Sequence, residues 1–175
     1  MTMPVFTDAS SAIILEKAGL FTIFSEAFRI VFSASVFKEI TRSGYPGAAF
    51  FLNSSENKVL DADLFNETKS VKGCPQKNEM GQGERDTIRL FLETKQGFIL
   101  TDDGRAAKWS KDHALPFINA LLVPKILQYA GLMSEEDCLK KMDLLCRTGR
   151  YSKKIKALAF SFEKKDLAFF IPEKK

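Results

Sequence analysis

Two kinds of hydrophobic pattern alternate along this chain. The first is a short apolar run that stops abruptly on a polar residue: Pro4-Val5-Phe6-Thr7-Asp8, Ile30-Val31-Phe32-Ser33, Phe98-Ile99-Leu100-Thr101, and Leu115-Pro116-Phe117-Ile118 ahead of Asn119. Runs this short, rich in β-branched and aromatic residues, predict buried strands. The second kind recurs every three or four residues and predicts helices. Ala12, Ile13, Ile14, Leu15, Ala18 and Leu20 form the first such stretch, with Asp8 or Ser10 as cap and Gly19 as stop. Phe21, Ile23, Phe24 and Phe28 form the next. From Ser35 to Ile40, Val36 and Ile40 share a face that Glu39 avoids.

Further on, Ala48 to Leu52 predicts a helical turn, Val59-Leu60 and Leu64-Phe65 read either way, and Ser70 to Gly83, with three Gly and one Pro, reads as a long loop. The clearest helix opens at Glu84, with Ile88, Phe91 and Leu92 inward and Gly97 closing it. Others are expected over Gly104 to Lys111 and over Val123 to Tyr129, the latter ended by Gly131. Ser134-Glu135-Glu136-Asp137 is a capping box with Asp in the Glu position. It opens a helix with Leu139, Met142 and Leu145 inward and Gly149 as its stop. Ser152 to Lys164 predicts a last helix with Ile155, Leu158, Ala159 and Phe162 inward, followed by a short strand or docked tail over Asp166 to Pro172. Strands alternating with helices imply an α/β fold: a three-layer α/β/α sandwich around a central parallel sheet of about four to five strands.

Composition changes this picture little. The 175 residues are 45% hydrophobic and 27% charged, enough for one globular core. Sixteen Phe against one Trp and three Tyr point to an interior built from rings that need no polar partner. Cys74, Cys138 and Cys146 are odd in number and lack a CxxC spacing, which argues against a disulfide framework or zinc site and for a reducing compartment. The single His113 cannot build a histidine metal site, and reads as a surface residue near a strand start. The start of the chain lacks a basic lead, and no run approaches the roughly 18 apolar residues of a membrane span. A cytoplasmic protein is therefore expected.

Charge is more informative. The net charge is +4, and the excess gathers from Arg147 onward in Arg150, Lys153, Lys154, Lys156, Lys164, Lys165, Lys174 and Lys175. Such a run is either a solvated helix face or a phosphate contact. Against it stand Asp8, Glu39, Glu84 and the pair Asp102-Asp103, each at a strand end or early in a neighbouring helix. Taken singly, Asp8, Asp102 or Asp103 could cap a helix, Glu39 could be an exposed helix carboxylate, and Glu84 could favour a helix dipole. Ser10 and Thr101 read as caps or supporting hydrogen-bond donors, since no base stands by to make either a nucleophile. Taken jointly, carboxylates at one sheet edge are costly unless a cation compensates. Oxygen donors without His or Cys suit Mg²⁺ or Mn²⁺. A receiver-type phosphoacceptor fits poorly, because an isolated Asp with a later Lys in a set place is not found.

Four segments carry a family resemblance. Val5-Phe6-Thr7-Asp8-Ala9-Ser10, Ser35-Val36-Phe37-Lys38-Glu39-Ile40, Gly83-Glu84-Arg85-Asp86-Thr87-Ile88 and Ile99-Leu100-Thr101-Asp102-Asp103-Gly104-Arg105-Ala106-Ala107, in that order, resemble the PIN-domain family, and within it a VapC-like nucleic-acid-binding subgroup. The resemblance covers roughly residues 4 to 133. It implies a nuclease core over 1–133, with 134–175 a C-terminal helical extension packed on the same domain. It further implies a Mg²⁺- or Mn²⁺-dependent endoribonuclease acting on single-stranded RNA, with catalytic residues Asp8, Glu39, Glu84 and Asp103. Asp8 and Asp103 would hold the cation, Asp102 competing with Asp103 for the place. Glu84 and Glu39 would bind it through water or orient the attacking water. Ser10 and Thr101 would support the acids, and Arg105, Lys108, Arg150, Lys153 and Lys154 would contact RNA. An antitoxin protein and a second copy of the chain are candidate partners; a membrane is not. The alternative is a PIN-like module that binds RNA or protein without catalysis. Asn119-Ala120-Leu121 departs from the subgroup, which tends to have a Gly-rich turn there.

Overall fold

The computed structural model describes residues 2–45, 47–54, 58–60 and 73–172. The expectations for Leu64-Phe65, Lys174 and Lys175 lie outside the described residues. Five strands form one sheet: β1 (Pro4–Thr7), β2 (Arg29–Ser33), β3 (Lys58–Leu60), β4 (Phe98–Leu100) and β5 (Phe117–Ile118). Their order is β3-β2-β1-β4-β5 and every pairing is parallel. Val59-Leu60, ambiguous in sequence, thus belongs to an edge strand. The chain winds outward in one direction from β1 to β3 and in the other from β4 to β5. The junction of β1 and β4 is therefore the switch point, where open α/β sheets place their ligands.

Nine α-helices complete the described fold: α1 (Ala9–Lys17), α2 (Phe21–Ala27), α3 (Ala34–Ile40), α4 (Ala48–Asn53), α5 (Gln82–Thr94), α6 (Gly104–Asp112), α7 (Val123–Tyr129), α8 (Glu135–Thr148) and α9 (Lys153–Ser161). Strand side chains alternate between two cores, as the two-residue period requires. Val5, Ile30, Phe32, Phe98 and Leu100 face the larger cluster, built with α1, α2, α7 and α8. Phe6, Val31 and Ile99 face the smaller one, with Ile88, Leu90 and Phe91 of α5 and Ala106 and Trp109 of α6. That arrangement is the expected three-layer sandwich. The Phe-rich composition is spent in the larger cluster, where rings meet edge to face: Phe21 on Phe51 at 5.2 Å, Phe28 on Phe98 at 5.5 Å.

Several local expectations need correction. Gly97 does not stop α5; Lys95 does so in a left-handed conformation (φ 51°). Gly97 is needed for a different reason: at φ +76° it lies so close to the Pro4 carbonyl that an added Cβ would overlap it. Leu139 is 51% exposed, because Cys138, Met142 and Leu145 already fill the inward stripe of α8. Ile155 and Leu158 are also exposed, and only Ala159 of α9 is fully buried. This last helix is held by its end rather than by a wide apolar face. The buried Lys125 donates from Nζ to the carbonyls of Phe160 (2.7 Å) and Phe162 (2.6 Å), satisfying acceptors at the helix C-terminus. The segment after α9 docks as a 3₁₀ turn, Ala168–Phe170, with Phe170 edge-on to Phe98 at 5.1 Å. Cys138, Met142, Leu145, Ala159 and Leu167 share the core of residues 5–127. Among the described residues, no helix is long and apolar enough to cross a membrane.

Candidate active site

Asp8 ends β1 and caps α1, and it is only 1% exposed. Its Oδ1 accepts from the Ser11 amide (2.7 Å) and the Ser10 hydroxyl (3.0 Å); its Oδ2 accepts from the Thr101 hydroxyl (2.5 Å). Thr101 in turn accepts from the Asp103 amide at 3.2 Å. One hydroxyl thus ties the acid after β1 to the acid beyond β4, across the switch point. The tie follows from the sheet register, which sets Thr7 opposite Leu100 and bonds the Asp8 amide to the Leu100 carbonyl. A carboxylate offers about four acceptor positions. Asp8 uses three of them, and the one left is on Oδ2.

The sequence left Asp102 and Asp103 as competitors; the structure separates them. Asp103 caps α6 through Oδ1, which accepts from the amides of Arg105 (2.9 Å) and Ala106 (2.8 Å). No hydrogen bond reaches its Oδ2 among the described residues. Asp102 turns the other way. Its oxygens accept from the Tyr151 hydroxyl (2.6 Å), the Ser11 hydroxyl (2.8 Å) and, more weakly, the Ala120 amide (3.3 Å). Asp102 thus carries three donors, as Asp8 does, and braces the α8–α9 junction against the sheet edge. Burial pushes its carboxyl up to about 6, Asp8 adds to the rise, and the donors from Tyr151, Ser11 and Ala120 oppose it. Tyr151 is pushed up in the same enclosure by burial and by Asp102.

A folded-state value above the ordinary one means that the fold favours the protonated acid. The contribution of Asp102 to stability is thus full below pH 4 and falls away as pH rises through about 6. Tyr151→Phe removes a bond that matters most to the ionised form. It is expected to cost about 1.5–3 kcal/mol at pH 7.5 and clearly less at pH 5, read from urea unfolding at both. Equal losses at the two pH values would assign Tyr151 a packing role only.

Glu84 and Glu39 come from the layer of α3 and α5. Glu84 lies in the first turn of α5, its carboxylate folded back over Gly81 so closely that a Cβ there would collide with it. Burial raises its carboxyl, and Asp8, Asp103 and Glu39 raise it further, opposed by a hydrogen bond to its own backbone. Glu39 is exposed on α3; a Cβ on Gly83 would stand 3.7 Å from its Oε2 and 3.2 Å from Val36 Cγ2. Gly83 thus permits the close contact of α3 and α5 that sets the two glutamates in one field. Among the described residues, none of the ion pairs involves Asp8, Glu39, Glu84, Asp102 or Asp103. Asp8, Asp103 and Glu39 act on Glu84 as like charges, with no cationic side chain paired to any of them among the described residues.

That electrostatic state suits a divalent cation. Among the described residues, no three Asp, Glu, His or Cys side chains are grouped to ligate one ion directly. The acids offer oxygen donors without His or Cys, the kind that Mg²⁺ or Mn²⁺ takes alongside bound water. Among the described residues, Asp103 Oδ2 and one acceptor position on Asp8 Oδ2 are left without a hydrogen bond.

The basic residues divide into two groups. Arg105 and Lys108 are exposed on α6, beginning two residues past Asp103; Lys108 pairs with Asp112 at 3.0 Å. Arg150, Lys153 and Lys154 are exposed at the α8–α9 junction, which the Tyr151–Asp102 bond tethers to the carboxyl edge of the sheet. Sequence reasoning passed over Tyr151 and Ser11, whose partner lies 49 and 91 residues away respectively. It also gave Asp86 no role, although its Oδ2 accepts from Ser35 at 2.5 Å and helps join α5 to α3. Nothing local marks Tyr151; Ser11 stands where the third residue after an Asp cap stands.

A protein-family model described as a PIN domain matches residues 4–159, running past residue 133 through α8 and most of α9. No curated protein matches the chain.

Proposed function

The chain belongs to the PIN-domain family, whose members are usually nucleases, and from that premise we propose that it is a Mg²⁺- or Mn²⁺-dependent endoribonuclease that hydrolyses single-stranded RNA. The observation that carries the reading is the Thr101 hydroxyl joining Asp8 to Asp103, with Glu84 and Glu39 in the same field and, among the described residues, no basic side chain paired with any of them. In this reading Asp8 and Asp103 bind the cation. When bound, such an ion lowers the pKa of water and offsets charge on a phosphodiester. Burial and its like-charged neighbours raise the Glu84 carboxyl above its ordinary range, which suits it to take the proton of the attacking water. Glu39, exposed beside it, orients that water. Arg105, Lys108, Arg150, Lys153 and Lys154 hold the RNA backbone by charge.

The VapC-like order of the four acidic segments extends the proposal to the toxin of a toxin–antitoxin pair in the cytoplasm, with the antitoxin as protein partner. Exposed apolar side chains on α8 and α9, among them Leu139 and Leu158 at 51% and 54%, suit a second copy of the chain. The test is direct. Purified protein with Mn²⁺ should cleave single-stranded RNA, and EDTA should stop it; cleavage that persists in EDTA would rule the proposal out. The exposed basic side chains of α6 and of the α8–α9 junction also suit one other reading, a PIN-like module that binds RNA or protein without cutting. Salt-sensitive RNA binding with no cleavage under any divalent cation would select it.

A further inference from the structure

The α6 face that carries Arg105, Lys108, Trp109 and His113 lines a groove of about 480 Å³, and the 78–80 segment forms the facing wall. Arg105, Lys108/Trp109 and Asp112/His113 recur at helical spacing, so that wall runs about 12 Å along the helix at 1.5 Å per residue. Each wall leads to an acid of the site. α6 begins at its cap Asp103, and the 78–80 segment runs into α5, whose first turn holds Glu84. Both walls of the groove are thus joined along the chain to elements that begin at candidate acids.

Its chemistry is not that of an anion pocket. Glu79 and Asp112 line it together with the two cations, and Asp112 already pairs with Lys108. Glu79 Oε2 accepts from the Gln76 amide at 2.5 Å, which fixes that wall. The aromatic pair is also fixed. Trp109 is 9% exposed and anchored in the smaller core, while the exposed His113 stacks on it at 3.7 Å between ring centres and 15° between planes. The Nδ1 of His113 is 2.8 Å from the Trp109 carbonyl, which sets the ring's orientation. A firm aromatic platform, two carboxylate acceptors and two cations at helical spacing match a nucleotide unit: a flat base with amino donors, and phosphates on either side.

We propose that this groove is a nucleobase subsite, which seats one base of the single-stranded RNA beside the scissile bond against the Trp109–His113 pair and its neighbouring phosphates on Arg105 and Lys108. For its substrate class the proposal rests on the nuclease reading. Glu79 and Asp112 accept hydrogen bonds from exocyclic amino groups, so adenine, cytosine or guanine is preferred to uracil.

The test is fluorescence anisotropy of the full chain in Ca²⁺ buffer with short labelled strands: oligo(A), oligo(C), oligo(U) and an abasic strand of equal length. His113→Ala is expected to bind oligo(A) and oligo(C) about tenfold more weakly than the unaltered protein, about 1.4 kcal/mol. Binding of the abasic strand should be unchanged, and His113→Phe, which keeps a ring there, should recover most of the loss. Arg105→Ala with Lys108→Ala should weaken all strands alike and flatten the salt dependence. The subsite is overturned if His113→Ala binds base-bearing strands like the unaltered protein, if it loses the abasic strand equally, or if the unaltered protein binds none of them. Mn²⁺-dependent cleavage of the same strands separates the two readings. Cleavage without an effect of His113 on affinity removes the subsite and leaves the nuclease; His113-dependent binding without cleavage does the reverse.

Discussion

Asp8→Asn should lower Mn²⁺-dependent cleavage of single-stranded RNA by about 100-fold or more, the scale at which loss of one charged group that stabilises a transition state is felt. Asn has the same shape and keeps an Oδ1 for the Ser10 and Ser11 donors. The change acts at the other atom. An amide nitrogen in place of Oδ2 must donate, so Thr101 can no longer donate to it. The hydroxyl is then asked to accept from both residue 8 and the Asp103 amide. The substitution thus removes one negative charge from the shared field and loosens the tie that positions Asp103. The fold should lose about 1–2 kcal/mol and survive, which circular dichroism will show. Single-turnover rates give the activity. An Asp8→Asn protein that cleaves at the normal rate would reduce Asp8 to a helix cap.

The second large effect is on stability. At neutral pH and in EDTA, Glu84→Gln should make the protein more stable, not less. The sign follows from the direction of the shift. Burial, with Asp8, Asp103 and Glu39, raises the Glu84 carboxyl above its ordinary value. The fold therefore favours the protonated form, and the stability this brings is lost as pH rises through the raised value. Above it the ionised group is held against its like-charged neighbours. Mn²⁺ should reverse the ranking. At 100 times its Kd, a ligand specific for the folded state adds about 2.7 kcal/mol, or about 5–10 °C in Tm for a chain of this size. Glu84→Gln should keep less than half of that rise. Thermal melts in EDTA and in Mn²⁺ measure both arms. Identical Mn²⁺ shifts in the two proteins would place the ion away from Glu84, and a Glu84→Gln protein less stable in EDTA would mean that the acids do not share a field.

Most of the fold is readable in the sequence because its signals are local. Four of the five strands are apolar runs with sharp ends, and the helices between them show their periodicity and caps within a few residues. Ser134 illustrates this: its hydroxyl accepts from the Asp137 amide at 3.0 Å, and a four-residue motif was enough to foresee it. Asp8, Glu84, Asp102 and Asp103 are legible for a related reason, since each follows a strand or opens a helix whose place the pattern already sets; Glu39 instead lies in the last turn of α3. The misjudged positions are those where the deciding neighbour is remote. Leu139 and Leu158 carry an inward-looking period, yet the slots beneath α8 and α9 were filled by Cys138 and Ala159. Gly97 reads as a helix stop, while its constraint comes from the Pro4 carbonyl on another strand.

The sequence by itself determined that this chain alternates strand and helix, that acids stand at the ends of the right elements, and which family's order of segments they follow. Each of these is fixed by spacing along the backbone, which sequence records directly. Only the tertiary structure shows how adjacent Asp102 and Asp103 differ: Tyr151, Ser11 and Ala120 donate to the first, while the second caps α6 through one oxygen. It alone placed Glu84 in the field of Asp8, Asp103 and Glu39, because charges interact through space and not along the chain.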